Sequence, residues 1–596
     1  MADPNRAIQQ AIELHRAGRT AQALAAARRA VAAAQGNANA HNVLGVILLE
    51  SGDAAGAERA LRRAASLSVN APGPHNNLGN ALAALGRLEE AETAYRRALE
   101  IDPAYVPGAL GLSRVLTLQD RNEESAEAAG VGAAANPRDA RLRVNLGGAL
   151  LAAGRVTEAV AALREAVAIA PADAEALRQL VSALHYDANA SADEVFELHR
   201  RLGRLVSGGR TPPAMRPSDA GKRPLRVGYV SSDFRAHSVA FFIEPIVERH
   251  DRDEVHVTCY MTAPRRDDTT ERIRSKSDAW VDAAGMSDDA LVRRVRADGI
   301  DVLVELGGHT VGNRLGALAA RAAPVQATWI GYPATTGVPA IDARLVDSAT
   351  DPDGAERLAM ERLVRLDPCF LCYRPLDDSP DVRRGPVESS GVVTFGSFNT
   401  LPKMGEWTLA AWADVLRRVP GSRLVLKNMG LADARARERI AAFFEGRGVE
   451  RSRLDLLGPT PGQREHLEVY GRVDVGLDTF PYAGTTTTCE AMWMGVPVVT
   501  VAGGAHASRV GLSLLRAVGL EDLCAPTVEA FVESAVLLAR DRERLASLRG
   551  GLRDRVARSP LCDAAGACRR VESAYRSLWS SACGGEAGHG SERGRL

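Results

Sequence analysis

The stretch Gly476-Leu-Asp-Thr-Phe-Pro-Tyr-Ala-Gly-Thr-Thr-Thr-Thr-Cys-Glu-Ala-Met-Trp-Met-Gly-Val-Pro-Val-Val-Thr-Val501 decides how the second half of the chain is read. A strand-like run, Val473 to Leu477, closes in a Pro-Tyr-Ala-Gly turn, and four threonines follow. Cys489 to Met494 then reads as a helix, and Val496 to Val501 as another strand. This order puts Thr485, Thr486, Thr487 and Thr488 at a helix N-terminus. Free amides and the positive end of the helix dipole make such a position an anion site, and the hydroxyls add donors for phosphate oxygens. Glu490, just inside the helix, is within reach of the ribose of a nucleotide whose diphosphate fills the turn. On its own the stretch also reads as a threonine-rich cap in an ordinary α/β domain.

Working outward, the alternation of strand and helix extends to both sides. Val392-Val-Thr-Phe-Gly-Ser-Phe-Asn399 opens this half, followed by the helix Leu409 to Arg418, the strand Arg423 to Lys427 and the helix Ala432 to Gly446. An earlier set has strands at Leu225 to Ser231, Val255 to Met261 and Asp301 to Leu306, with helices at Phe241 to His250 and Asp288 to Ala297. Two parallel sheets covered on both faces are expected, with ligands at the carboxyl ends of the strands in the cleft between them. The first spans 223–385 and the second 386–567, a closing helix at 568–582 packs back across the first, and 583–596 reads as a loose tail.

The first 205 residues have a different rhythm. Leu44-Gly45, Leu78-Gly79 and Leu146-Gly147 recur at steps of 34 or 68, with Leu112-Ser113 in the gap. Gly18, Gly52, Gly86 and Gly154 share the period, as do Ala23, Ala57, Ala91 and Ala159, and Pro103, Pro137 and Pro171. A 34-residue unit of this kind is the tetratricopeptide repeat: small residues let paired helices approach, and proline ends the second. About five repeats and a helical extension after them form an α-α superhelix over 1–205, and a Gly-, Pro- and Ser-rich linker follows at 206–222. The concave face of such an array suits extended peptide, and the array also serves as a spacer or a homodimer surface. Asn77 and Asn145 sit where asparagine grips a peptide backbone, but Val43 and Gly111 interrupt a continuous ladder.

Composition narrows the classes. Lys+Arg and Asp+Glu both number 74, which argues against nucleic acid or a membrane surface as the dominant partner. No run approaches the ~18–20 uncharged apolar residues of a membrane span, and no apolar leader follows Met1, so a cytoplasmic location is expected. Eight cysteines in 596 residues are too few for a disulfide scaffold. Cys369-Phe-Leu-Cys372 lacks a second pair at zinc spacing, so no metal is expected, and both thiols are read as half-buried strand residues.

Polar residues just beyond strand ends are the candidates for chemistry. Asp233 and His237 lie in Gly228-Tyr-Val-Ser-Ser-Asp-Phe-Arg-Ala-His-Ser-Val239, where a histidine can orient a hydroxyl or meet a sugar or phosphate oxygen. His309 and Thr310 follow paired glycines that either admit a ligand or simply make a tight turn. In Phe395-Gly-Ser-Phe-Asn-Thr-Leu-Pro-Lys403, Asn399 and Lys403 face the threonine turn, and the ammonium can neutralise a departing pyrophosphate. His466, in Gln-Arg-Glu-His, suits contact with a base, and His506 and Arg509 are further diphosphate candidates. Each of these also has a plain structural reading as a cap or a surface residue.

The repeat array followed by Gly-Tyr-Val-Ser-Ser-Asp-Phe, Gly-His-Thr, Gln326-Ala-Thr-Trp-Ile-Gly-Tyr-Pro333, Ser397-Phe-Asn-x-x-x-Lys403 and Asp478-Thr-Phe-Pro-Tyr-Ala-Gly-Thr-Thr-Thr-Thr-Cys-Glu490 resembles glycosyltransferase family 41. That family holds the O-GlcNAc transferases and the SPINDLY proteins. The resemblance implies a GT-B fold of two doubly wound Rossmann-like domains. It also implies inverting, metal-independent transfer from a nucleotide sugar to Ser or Thr of proteins selected by the repeats, with no cofactor. It assigns Lys403 to the leaving diphosphate with the Thr486–Thr488 amides beside it, Glu490 to the ribose and His466 to the nucleoside. His237 would face sugar and acceptor, where it is a candidate general base beside substrate phosphate or water. His237-Ser-Val, Leu306-Gly-Gly-His-Thr310, Cys369-Phe-Leu-Cys-Tyr373 and the Thr-Thr-Thr-Thr-Cys-Glu turn are similar to the SPINDLY branch, whose plant members use GDP-fucose. Animal-type O-GlcNAc transferases use UDP-GlcNAc and carry a His-Thr-Thr-Gly turn that this chain lacks, so both donors stay open. Two other classes compete: a repeat scaffold that has lost catalysis, and a GT-B transferase acting on a glycan or small molecule.

Overall fold

The computed structural model describes residues 3–209, 212, 215 and 223–584. Most of the expected linker at 206–222 and all but the first two residues of the expected tail at 583–596 lie outside the described residues. The chain divides into two compact units, one running to Leu180 and taking in Ala432–Ala436, the other taking the remainder from Val181.

In the first unit five helix pairs follow one another: Pro4–Arg16 with Thr20–Ala33, Ala38–Glu50 with Ala54–Leu67, Pro72–Ala84 with Leu88–Ile101, Val106–Leu118 with Asn122–Ala135, and Ala140–Ala152 with Val156–Ile169. The periodic glycines are there for two different reasons. Gly18, Gly52, Gly86 and Gly154 turn the chain between paired helices at φ of 71°, 88°, 73° and 77°, and Asp120 holds the same place in the fourth repeat at φ 58°. Aspartate tolerates that left-handed region better than most residues, which explains why the glycine period can skip there. The Leu-Gly glycines instead allow close approach: a Cβ on Gly45 would lie 2.4 Å from Leu61, and one on Gly147 2.4 Å from Leu163. Ser113, where the period lacks its glycine, is buried and shares a 2.8 Å hydrogen bond with Ser125.

The second unit holds two parallel sheets. The first contains β1 (Leu225–Ser231), β2 (Val255–Met261), β3 (Ala279–Asp282), β4 (Val302–Glu305), β5 (Val325–Thr328), β6 (Ala343–Val346) and β7 (Arg362–Arg365), in the order β3-β2-β1-β4-β5-β6-β7. In the second are β8 (Thr394–Ser397), β9 (Arg423–Lys427), β10 (Leu454–Leu457), β11 (Val475–Leu477), β12 (Val498–Val501) and β13 (Cys524–Ala525), ordered β10-β9-β8-β11-β12-β13. Every pairing is parallel, and the strand order reverses beside β1 and beside β8. Loops leaving β1 and β4, or β8 and β11, diverge to opposite faces and leave a crevice, which is where such sheets take ligands.

Three expectations change. The helix Ala192–Val206, expected to extend the repeat array, belongs to the second unit, where Gly203 packs so tightly that a Cβ would come 1.8 Å from the Gly337 carbonyl oxygen. Cys369 and Cys372 are buried, yet they lie in irregular chain beyond β7 rather than in a strand, with Cys369 Sγ 3.6 Å from Ser513 Oγ. The closing helix is longer than 568–582, running Ala564–Cys583. It does pack on the helix Ala240–Arg249 and the first sheet, with Tyr575 Oη 3.2 Å from Tyr229 Oη and Glu572 accepting from His250 at 2.9 Å.

Candidate active site

The threonine helix begins at Thr486, three residues earlier than its sequence suggests, and runs to Trp493. Thr485 is its N-cap residue but makes no side-chain cap hydrogen bond, and the first bond of the turn runs from the Cys489 amide to the Thr485 carbonyl at 3.1 Å. The amides of Thr486, Thr487 and Thr488 therefore come before the helical ladder, the position where an anion binds. Thr486 Oγ1 is buried without a partner. Thr487 Oγ1 donates to Asn399 Oδ1 at 2.9 Å, tying the helix to the loop beyond β8.

That same loop carries Lys403. Its ammonium donates to the Ala483 carbonyl at 2.7 Å and lies 3.9 Å from the centre of the Tyr482 ring. Lys403 is thus aimed at the turn that opens into the threonine helix. Burial lowers its pKa to about 8, with the Asp478 carboxylate pulling the other way. Asp478 holds the turn itself, accepting from the Gly484 amide at 2.7 Å, the Thr479 amide at 2.8 Å and Thr500 Oγ1 at 2.7 Å. Its pKa is raised by burial and restrained by these bonds.

His466 and Glu490 also meet. Lys427 donates to His466 Nδ1 at 2.7 Å, and His466 Nε2 lies 3.1 Å from Glu490 Oε2. An ammonium has only donors, so Nδ1 accepts and Nε2 carries the proton that reaches Glu490. Tyr470 Oη adds a contact to Glu490 at 3.4 Å, and the rings of Phe398 and Tyr470 flank the imidazole at 5.7 Å. Burial lowers the Lys427 pKa, which the Glu490 charge opposes.

On the first sheet, His237 keeps 40% of its side chain exposed and has Nδ1 3.7 Å from Asp233 Oδ2. Nδ1 also accepts the Val239 amide at 3.3 Å, which leaves the proton on Nε2 in the neutral ring. Partial burial lowers its pKa against the pull of Asp233. His309 takes another course: it is buried, its Nε2 lies 2.7 Å from the Thr336 carbonyl, and its ring packs among His199 and Tyr332. The paired glycines before it form a tight turn that only glycine fits. Gly308 has φ 54°, a Cβ there would strike Tyr332, and both glycine amides donate to Glu305. Thr310 Oγ1 is spent on the Gly307 carbonyl at 2.8 Å.

His506 and Arg509 are likewise engaged within the protein. Arg509 donates to the carbonyls of Ala349 at 2.8 Å and Gly503 at 3.1 Å. His506 Nδ1 lies 2.6 Å from Asp351 Oδ2, which joins the loop beyond β6 to the loop beyond β12. Both residues line a cavity of about 850 Å³ that also includes Phe480 and Pro481. Of the donor contacts expected from sequence, only His506 lines this cavity; Lys403 and the threonines are not part of its lining. In the first unit, Asn77 donates to Asn42 at 2.9 Å, whereas Asn145 Nδ2 is buried without a partner, so the two asparagines do not form a matched pair.

Lys427, Asp478 and Asp351 were missed. Each is an ionisable residue at or within a few residues of the carboxyl end of a strand, the same signal that picked out Lys403.

Two doubly wound domains, each with ionisable groups gathered at its strand ends, give the chain the two-domain architecture of the GT-B class. The family model for glycosyl transferase family 41 matches residues 212–372 and 386–571, and the chain belongs to that family. Tetratricopeptide repeat models match residues 8–74, 74–105 and 110–174. The tomato (Solanum lycopersicum) protein named as probable UDP-N-acetylglucosamine–peptide N-acetylglucosaminyltransferase SPINDLY is 43% identical over 411 residues, 68% of this chain and 44% of that protein. Its Arabidopsis thaliana namesake is 44% identical over 68% of this chain and 45% of its own length. This chain therefore aligns with less than half the length of these relatives. A solved structure of a lysine-to-methionine mutant of the Thermobaculum terrenum O-GlcNAc transferase superposes with a TM-score of 0.80 at 37% identity, over 86% of this chain and 98% of that one.

Proposed function

We propose that this chain is a protein O-glycosyltransferase that moves a sugar from a nucleoside diphosphate to serine or threonine hydroxyls of proteins, with inversion and without a metal. The reading rests on one observation: the Lys403 ammonium, the Asn399–Thr487 pair and the open end of the Thr486–Trp493 helix converge on a single turn. As the acceptor oxygen bonds to the anomeric carbon, the anomeric C–O bond to the β-phosphate breaks, the diphosphate leaves with the electron pair, and the hydroxyl proton passes to a substrate phosphate oxygen or to water. A cation and fixed amide donors are the groups that stabilise such a charge, and they do so without a divalent ion. The unpartnered Thr486 hydroxyl supplies a further donor.

Glu490 and His466 hold the nucleoside, with Lys427 fixing the imidazole. His237, protonated at Nε2 in its neutral form, suits holding a sugar or acceptor oxygen rather than taking the hydroxyl's proton. The donor is UDP-GlcNAc, as in the names of the relatives, or GDP-fucose, as the SPINDLY-like wording of the turn implies. The repeats of the first unit, five helix pairs from Pro4 to Ile169, select acceptor proteins and offer a surface for a homodimer; a cytoplasmic setting fits such acceptors. Incubating the purified chain with each donor and a panel of Ser/Thr proteins tests the reading. Transfer from one donor, lost in Lys403→Ala, is expected; an unchanged rate in that variant removes Lys403 from the mechanism.

A further inference from the structure

The 850 Å³ cavity is separate from the Lys403 group yet shares a wall with it. The Ala483 carbonyl that receives Lys403 belongs to the residue whose amide donates to Ala507 at 3.0 Å, next to His506 in the cavity lining. Tyr482, which caps the ammonium, has its ring 6.4 Å from that of His185, another lining residue. A group seated in this cavity is therefore next to the turn that receives Lys403.

Two lining residues carry buried polar atoms without a partner: Arg344 Nη2 and His185 Nε2. Arg344 is 5% exposed. Its Nη1 forms an ion pair with Asp351 Oδ1 at 3.6 Å, longer than a hydrogen bond, and the other Asp351 oxygen meets His506 at 2.6 Å. The guanidinium is always charged, so its positive field is only partly answered and its Nη2 hydrogens lack an acceptor. His185 is held neutral, its pKa lowered to about 4 by burial and by Arg344. A neutral imidazole can donate through Nε2 to an oxygen that also meets the guanidinium. At the rim, Asp187 and Asp353 are acidic, and Arg357 is paired with Asp193. That rim repels a tract of acids while the interior favours a single one.

Resting on the function proposed above, we infer that this cavity is a specificity subsite that takes one carboxylate side chain of the acceptor polypeptide, held by Arg344 Nη2 and His185 Nε2, close to the hydroxyl being modified. Sugar hydroxyls and backbone carbonyls offer the same two donors a neutral oxygen and leave the guanidinium charge unanswered.

The test is a position-scanned Ser/Thr peptide library with Glu or Gln at each flanking position, assayed with both donors. Wild type should favour Glu over Gln at one position by about tenfold in kcat/KM, the scale of one charge-assisted hydrogen bond. In Arg344→Met that ratio should fall to about one, while melting-temperature shifts with UDP and GDP persist and show that the fold and the nucleotide site remain. Arg344→Lys, which keeps the charge but not the planar fork, should retain part of the preference and stands in if the methionine variant does not fold. A flat library in wild type, or an undiminished Glu preference in Arg344→Met, overturns the subsite while leaving the transferase reading intact. If no peptide is turned over, the transferase reading fails, and anisotropy of labelled Glu and Gln peptides decides the subsite separately: tighter Glu binding that Arg344→Met abolishes supports it, and equal binding rejects it.

Discussion

Lys403 is held in a partly dry site with no carboxylate in contact, its Nζ resting on a carbonyl and an aromatic face. Burial disfavours the charged form, so its pKa falls to about 8. The folded chain then binds fewer protons than the unfolded chain between about pH 8 and the ordinary lysine value, and the burial penalty fades as pH rises through that window. Activity runs the other way, because only the ammonium can meet a diphosphate. UDP or GDP binding, followed by thermal shift, should weaken as pH rises past about 8, and Lys403→Met should bind weakly at every pH with no such step. Loss of transfer in that variant should be about 10²–10³-fold in kcat, the usual cost of removing one donor from a developing oxyanion. For Lys427, Lys427→Met should free the His466 tautomer and raise KM for the donor more than it lowers kcat, with partial rescue in Lys427→Arg. Equal effects on kcat and KM would remove it as a positioning residue.

At the scale of elements, close approach and turn geometry govern the outcome. Gly86 turns the third helix pair at φ 73° with open space around it, so Gly86→Ala is expected to cost about 1–2 kcal/mol through backbone strain alone. Urea unfolding should show this as a lower midpoint at unchanged slope. Thr487→Val removes the tie between the threonine helix and Asn399 while keeping shape. Nucleotide affinity should fall although the melting temperature of the unliganded chain changes little. At this scale the sequence was legible where periodicity carries the signal: β1, β2, β9 and the helix Asp288–Ala297 have the bounds that their hydrophobic pattern suggests. The threonine helix was misjudged by one turn because threonine is a weak helix former and reads as a cap; the tertiary contacts from Thr487 to Asn399 override that preference.

For the whole molecule, the division at Leu180 separates repeats from sheets, and the helix Ala192–Val206 goes with the sheets. Removing residues 3–170 should therefore leave nucleotide-induced thermal shifts intact while protein acceptors are lost; unchanged acceptor use would favour a small-molecule transferase instead. The sequence by itself determined the repeat register, the two parallel sheets and the loops where the chemistry gathers. These follow from local spacing, since a period of 34 residues or a strand ending in glycine is written in neighbouring positions. Which ionisable groups meet was decided only by the tertiary structure. Lys427 reaches His466 across 39 positions, and Asp351 reaches His506 across 155. His309 and Arg509 look as free in the sequence as His237 does, yet His309 is buried against the Thr336 carbonyl and Arg509 is spent on the carbonyls of Ala349 and Gly503, whereas His237 stays 40% exposed. A side chain's availability depends on what packs against it, and that packing partner comes from a distant part of the chain.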